Sequence, residues 1–446
     1  MQTPPPEIIK QGTKAILTYL RTLQRAKVER FEAKVILVGE GGMGKTSLLG
    51  ALRGQPFVPD LPATHGIEVG ALFPPHPTRS GQQITLYTWD FGGQEIFQAT
   101  HQFFLTRRSV YLLLWNARQG PEVCQVTKWL DTITVHAPDA KILLVATHTD
   151  TDLTTTPNFP LAFYRQHYPQ IVNHLCAISN KLGAGLDDLK RRIVAAAAQT
   201  PFVGQQWPKA WVEAEAALLA RPEHHLDQAD FILACRQHQI EDETERETFG
   251  RYLHDLGKIL YFHDDPVLRT LIVLKPNWIT KAISRVLEDR QVRLAGGVLD
   301  YGHLARIWEK DEQGQPYPHV LYPIFVRMME RFELCYQLEP ERPGQPVSQS
   351  LIPQLLPDQP PALPPIPTTP PAGQVRLEMR YSLSFVPAGL ISWLLVRTHR
   401  YSLRQHWREG ARLAYGGQQA HLELDNRQRE ITITGSLPFV QLPHLD

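Results

Sequence analysis

The sequence has no excess of charge of either sign: 46 Lys and Arg face 45 Asp and Glu, for a formal net charge of +1. A polyanion partner needs a basic patch, and none stands out, so no nucleic-acid partner is expected. Cysteine is scarce. The four residues, Cys124, Cys176, Cys235 and Cys335, lie far apart and show neither metal-ligand spacing nor a disulfide framework, as expected of free thiols in a reducing compartment. No apolar run approaches the roughly 18 residues of a membrane span. The start, MQTPPPEIIKQ, lacks the apolar core of a signal peptide. There is no internal repeat. These absences lead to the expectation of a soluble cytoplasmic protein without a membrane span. With 446 residues, 43% of them hydrophobic, the chain is expected to form about two to four domains with sizeable cores.

Helical spacing of Ile9, Ala15, Ile16, Tyr19 and Leu20 predicts a helix from about Glu7 to Phe31. The prolines at 4 to 6 sit just ahead of it, where a missing N–H costs little. Ala33–Val38 reads as a buried strand, followed by a glycine-rich turn and a helix from about Lys45. Val69–Phe73 and Ile84–Trp89 are candidate strands joined by a polar hairpin connection, PPHPTRSG. Val110–Trp115 and Lys141–Ala146 are short apolar runs typical of buried strands, with a helix between them around Val123–Thr134. Leu175–Ile178 reads as a last strand before a helix at Leu186–Ala198. This alternation predicts the α/β class, a largely parallel sheet with helices on both faces.

The alternation stops near Pro201, which places a boundary at Gln199–Gln205. Trp207–Leu219, Leu226–His238 and Thr248–Leu256 read as helices, with Asp227 and Asn277 as helix-start residues. Nine prolines between Pro353 and Pro371 predict an extended, stiff connector, with a ligand for an aromatic groove as the alternative. Beyond it, Gln374–Phe385 alternates like a strand, Gly389–Thr398 reads as a helix, and Ala411–Leu424 and Glu430–Gly435 read as strands. The expected divisions are an N-terminal linker helix (1–31), a nucleotide domain (32–200), a mostly helical domain (205–340), a proline-rich connector (341–373) and a small mixed α/β domain (374–446).

The strongest chemical signal is Gly39-Glu40-Gly41-Gly42-Met43-Gly44-Lys45-Thr46, which matches G-x-x-x-x-G-K-[ST] between a predicted strand and helix. Glycines at 39, 41, 42 and 44 let backbone N–H groups, that of Met43 included, wrap a phosphate at a helix N-terminus, with Ser47 placed beside them. Lys45 reaches the β- and γ-phosphates, and Thr46 offers a hydroxyl to Mg²⁺. In Trp89-Asp90-Phe91-Gly92-Gly93-Gln94-Glu95, Asp90 ends a strand where a carboxylate can hold Mg²⁺ through water. Gly93 can turn its N–H to a γ-phosphate, and Gln94 can orient the attacking water. Thr64, in the polar loop Leu61–Glu68, can reach Mg²⁺ and the γ-phosphate, although a surface turn threonine is the alternative. Thr147-His148-Thr149-Asp150 follows the next strand. There Asp150 can accept from guanine N1 and the exocyclic amine, a donor pair that adenine lacks. Ser179-Asn180-Lys181 follows the last strand, where backbone amides and Lys181 can pack on the base.

In this order the four motifs resemble those of small Ras-like GTPases. The nearer resemblance is to the Roco family, in which a Roc GTPase domain is followed by a COR domain. It is carried by DFGGQEIF at Asp90–Phe97, HQFFLTRRSVYLLLWNAR at His101–Arg118 and the TH-x-D form at Thr147–Asp150. After residue 200 it is carried by Phe249–Phe262, Val273–Ile283, Leu351–Pro357 and Phe385–Thr398. The resemblance implies an enlarged Ras-like P-loop GTPase domain followed by a two-part COR dimerisation domain. The first part, COR-A, would be helical and winged-helix-like, and the second, COR-B, mixed α/β. It also implies GTP/GDP and Mg²⁺ as cofactors, slow GTP hydrolysis, homodimerisation through COR coupled to nucleotide state, and protein effectors. A bacterial source, and a piece lacking the family's usual leucine-rich repeats, are part of the same expectation. One departure concerns the base: Thr147 and His148 stand where Ras-like proteins have asparagine and lysine, which leaves Asp150 in place but lowers the expected affinity.

Hydrolysis needs a fixed water and positive charge at the γ-phosphate. Lys45 and Gln94 are the expected catalytic groups, with Arg107 and Arg108 as candidate arginines in cis and a contact from a second subunit as the alternative. Two other functions compete. An ATPase would need an acidic base after a hydrophobic strand and a sensor arginine in place of Asp150 and Gln94. A nucleotide-gated scaffold with negligible hydrolysis would act through the COR-like segment.

Overall fold

The structure is a computed structural model describing residues 4, 8–9, 11–24, 26–62, 64, 66–92, 109–150, 159–200, 203–339, 346–362, 374–383, 386 and 389–438. It divides into two compact units, with the main break between Lys281 and Ala282.

The first unit opens with helix α1 (Thr13–Leu23) and then β1 (Lys27–Val38). The nucleotide-bearing part continues through α2 (Lys45–Leu52), β2 (Ile67–Leu72), β3 (Thr85–Phe91), β4 (Val110–Asn116), α3 (Val126–His136), β5 (Lys141–Thr147), α4 (Leu161–His167), β6 (Ile171–Ala177) and α5 (Leu186–Ala198). The strands form one sheet in the order β2-β3-β1-β4-β5-β6. All neighbours are parallel except β2, which returns antiparallel to β3 through the proline-containing hairpin. The central strands are apolar runs such as Val110–Trp115, buried along their length because helices cover both faces.

The helix predicted to reach Phe31 stops at Leu23, and Lys27–Phe31 is strand. The cause lies far along the chain. Strand β7 (Val203–Pro208) pairs antiparallel with Lys27–Phe31, while Glu32–Val38 pairs with β3 and β4. One long strand thus serves two ladders, and the second partner is more than 170 residues away in sequence, beyond the reach of local periodicity. The same pairing carries the sheet across the boundary expected at Gln199–Gln205. It also makes Trp207 a strand residue, so the following helix α6 (Lys209–Leu219) begins after Pro208.

Next come β8 (His225–Asp227), α7 (Gln228–Gln237), α8 (Glu243–Asp255), β9 (Leu271–Val273) and α9 (Pro276–Glu288). Asp227 caps α7 by accepting from the Asp230 amide, as its position predicts. Asn277 lies inside the first turn of α9 rather than at its cap. Helix α1 belongs to this core: Ala15, Tyr19 and Leu23 pack in one cluster with Trp207, Trp211, Phe249 and Tyr252.

The second unit contains β10 (Val298–Asp300), β11 (Tyr336–Gln337) and β12 (Gln349–Leu351), a small sheet in the order β10-β12-β11. Strand β12 and the short turn Pro353–Leu355 fall inside the expected connector, yet Leu351, Pro353, Leu355 and Leu356 are buried. Apolar residues between the prolines supply packing that proline content alone does not reveal. The C-terminal part is a five-stranded antiparallel sheet, β13 (Gln374–Ser382), β14 (Ser402–Trp407), β15 (Gly410–Tyr415), β16 (Gln418–Asp425) and β17 (Glu430–Pro438), in the order β13-β17-β16-β15-β14. Its apolar face packs on the helix Leu390–Thr398 through Ile391 and Leu395.

Candidate functional site

The phosphate loop leaves β1 at Gly39, whose φ is +136°, and a Cβ there would lie 2.4 Å from the Leu114 carbonyl oxygen. Gly44, at φ +79°, turns the chain into α2. Lys45 folds back under the loop, and its Nζ donates to the carbonyl oxygens of Gly39 and Glu40, each at 2.8 Å. Burial lowers its ammonium to about 8, opposed by the charges of Asp90 and Glu40. Trp129 Nε1 donates to Glu40 Oε1 at 3.0 Å, bracing the loop against α3.

Thr46 Oγ1 donates to Asp90 Oδ2 at 2.6 Å and lies 2.8 Å from Thr64 Oγ1. With the Thr46 proton committed to the carboxylate, Thr64 must donate to Thr46. Asp90 Oδ1 is buried with no hydrogen-bond partner among the described residues. Burial raises the Asp90 carboxyl to about 6, partly offset by the Thr46 bond and Lys45. An orphaned carboxylate oxygen beside two hydroxyls is a hard oxygen donor set, the chemistry a small divalent cation requires.

At the other end of the cleft, Thr147 Oγ1 lies 3.1 Å from the carbonyl oxygens of both Met43 and Trp115. A hydroxyl here ties β5 to the phosphate loop, a tie that an asparagine is not needed to make. His148 stands at φ +60° with its Nδ1 2.9 Å from Thr147 Oγ1, and burial holds its imidazole below the usual range. Asp150 receives a hydrogen bond from Ser179 Oγ, which itself accepts from the Leu182 amide at 3.0 Å. Asn180 Nδ2 donates to the Gly44 carbonyl at 3.1 Å. The motif residues Gly41, Gly42, Met43, Gly44, Lys45, Thr46, Ser47, Thr64, His148, Asp150, Asn180 and Lys181 line one cleft of about 420 Å³. Gly93, Gln94, Arg107 and Arg108 lie outside the described residues.

Two sets of residues at this cleft escaped the sequence reading. Phe57, Val58 and Leu61 are exposed apolar side chains lining it, a surface on which a flat ring can lie. Their signal was a hydrophobic run in a loop. Arg118 binds the Thr147–Asp150 loop, with Nε 3.1 Å from the His148 carbonyl oxygen and Nη2 3.2 Å from Asp150 Oδ2. No motif marks it.

Away from the cleft, His174, Cys176 and Asp188 form a three-residue cluster of metal-ligand types. Asp188 is already paired with Arg191 at 3.1 Å and Arg192 at 2.7 Å, and two guanidiniums disfavour a cation there. All four cysteines are buried free thiols. Among the described residues no helix is long and apolar enough to cross a membrane.

Comparison with known proteins agrees with this arrangement. The family "Ras of Complex, Roc, domain of DAPkinase" matches residues 34–150. "C-terminal of Roc, COR-A domain" matches 208–356, and "C-terminal of Roc, COR-B domain" matches 374–438. Among curated proteins, the chain is 31% identical to the probable serine/threonine-protein kinase pats1 of Dictyostelium discoideum, over 97% of this chain and 14% of that protein. It is 26% identical to leucine-rich repeat serine/threonine-protein kinase 1 of Mus musculus, over 80% of this chain and 19% of that one. The chain therefore spans less than a fifth of either relative. Among solved structures it is similar to the Methanosarcina barkeri Roco2 RocCORdC bound to GDP, at 29% identity and a TM-score of 0.63, covering 74% of this chain and 98% of that one. These relatives come from an archaeon, a slime mould and an animal, so they lend no support to a bacterial source. The chain carries a Roc domain followed by COR-A and COR-B domains, the tandem of the Roco family.

Proposed function

We propose that this chain is a GTP-binding, GTP-hydrolysing switch whose nucleotide state is coupled to homodimerisation through its COR domains. The observation that carries the reading is the cleft lined by Lys45, Thr46, Thr64 and Asp150, with the Asp90 carboxylate bonded to Thr46 beside it. A nucleoside diphosphate or triphosphate is a molecule with that charge layout. The archaeal relative named above, solved with GDP, supports the same reading.

Thr46, Thr64 and Asp90 are the residues that would hold Mg²⁺, which neutralises developing phosphate charge when bound. Lys45 adds a fixed cation, and the glycine-loop amides add donors. Gln94 orients the attacking water, and Arg107 or Arg108, or a group from a second subunit, supplies further positive charge. Four buried free thiols support a reducing, cytoplasmic setting.

Base choice rests on Asp150. Asp150→Asn exchanges an acceptor for a donor, so GDP affinity should fall about 100-fold, with xanthosine diphosphate retained better than GDP. Parallel titrations of wild type and variant with GDP, ADP and xanthosine diphosphate check this. Equal wild-type affinity for GDP and ADP would remove the guanine reading.

Assembly is tested separately. Light scattering of the full chain across a dilution series, with GDP and with a non-hydrolysable GTP analogue, should show a dimer whose dissociation depends on the nucleotide. A monomer at all concentrations in both states would end the coupling proposal.

A further inference from the structure

Arg118 is placed with care for a residue outside every nucleotide motif. It follows β4, whose last residue Asn116 pairs in register with Thr147. The Asn116 side chain accepts from the Arg118 amide at 2.9 Å, and the Ala117 amide donates to the Thr147 carbonyl at 3.0 Å. The first closes the turn on itself, and the second holds it against the loop that ends in Asp150. From there the guanidinium spans two points of that loop, the His148 carbonyl oxygen and Asp150 Oδ2.

A carboxylate offers about four acceptor positions, two on each oxygen. On Asp150, Ser179 Oγ takes one on Oδ1 and Arg118 Nη2 takes one on Oδ2. Among the described residues, one position is left on each oxygen. Guanine presents two adjacent donors, N1–H and the 2-amino group, which is the number that remains.

Resting on the guanine-nucleotide reading above, we propose that Arg118 is a specificity-determining positioning residue. It holds the Asp150 carboxylate in the orientation that accepts both guanine donors. The bond to the His148 carbonyl steadies the left-handed residue between Thr147 and Asp150. As an ion pair alone the contact is worth little, because the Arg118 side chain is 54% exposed. Its effect comes through the angle of the carboxylate, so it shows in base discrimination more than in stability.

Inosine diphosphate is the discriminating probe, because hypoxanthine keeps N1–H and lacks the 2-amino group. In Arg118→Ala the loosened carboxylate loses most where two bonds were made. GDP affinity should fall about tenfold, inosine diphosphate affinity only about two- to threefold, and the ratio between them should shrink accordingly. Arg118→Lys keeps the charge but lacks the planar fork, and should recover only part of the ratio. Thermal unfolding of both variants should match wild type. Titrations of full-length wild type, Arg118→Ala and Arg118→Lys with GDP, inosine diphosphate and ADP make the test. An unchanged GDP-to-inosine ratio in Arg118→Ala overturns the proposal, and so does tighter GDP binding, which would make Arg118 a competitor for Asp150. A wild type that binds ADP as well as GDP instead fails the guanine reading itself.

Discussion

Replacing Lys258 with methionine should destabilise the protein by about 3–5 kcal/mol, the scale for breaking a buried ion pair from one side. Lys258 Nζ donates to Glu32 Oε2 at 2.6 Å and to Glu215 Oε1, and Arg30 Nη2 donates to Glu32 and, at 3.0 Å, to the same oxygen of Glu215. Glu32, Glu215 and Lys258 are 5%, 3% and 6% exposed, so water cannot replace the lost ammonium. The cluster joins β1, α6 and the turn after α8, all within the first unit.

Burial already raises the Glu215 carboxyl above the ordinary carboxylate range. Without Lys258 it rises further. A raised carboxyl binds a proton in the folded state at a pH where the unfolded chain has lost it, so the deficit is smallest at low pH and grows as pH rises through the folded value. Denaturant unfolding of Lys258→Met against wild type at pH 5 and pH 7 should therefore show the larger gap at pH 7. Lys209→Met, whose side chain and Glu213 partner are 61% and 51% exposed, should change stability by less than about 0.5 kcal/mol. A loss under about 1 kcal/mol in Lys258→Met would mean that the two carboxylates reach other partners or solvent.

Lys45→Met should weaken GDP binding about 100-fold or more while leaving the fold intact. Hydrogen bonds to charged groups are the strong ones, and this ammonium is the fixed cation of the phosphate loop. Its burial also costs stability before nucleotide arrives. Because the folded value is about 8 rather than 10.5, the folded chain holds fewer protons than the unfolded one between those pH values. The cost is present in full below pH 8 and is relieved as pH rises toward 10.5. The nucleotide-free variant should thus be no less stable than wild type at pH 7, and its advantage should shrink by pH 10. Thermal unfolding with and without GDP, together with titration of a fluorescent GDP analogue, checks both halves. An intact fold with unchanged affinity would remove Lys45 from the phosphate site.

The motifs were legible because each is a contiguous turn at the end of a strand. A glycine loop between apolar strand and helix, or an aspartate after a buried strand, announces its position through residues beside it. Thr46, Asp90, Thr147 and Asp150 fall at such ends, and a parallel sheet brings the ends of its strands to one edge. The sheet order followed less directly, since alternation of strands and helices implies a parallel sheet without saying which strands are neighbours.

The first helix shows the limit. Lys27–Phe31 carries little helical or strand preference of its own, and a helical period extrapolated from Ile9 to Leu20 ran through it. Its structure is decided by backbone partners at Val203–Pro208. Proline content likewise suggested a connector where Leu351, Leu355 and Leu356 are buried.

By itself, then, the sequence determined the α/β class, the strand-end turns and the residue types able to meet phosphate, cation and base. Those depend on neighbours a few residues apart. Tertiary structure alone decided that Arg118 meets Asp150, that Arg30 and Lys258 neutralise Glu32 and Glu215, and that α1 enters the core beside Trp211. Apart from Arg30–Glu32, two positions apart, those pairings join residues 32 to 226 positions apart, and a charge or an apolar face in sequence does not name the distant group that will cover it.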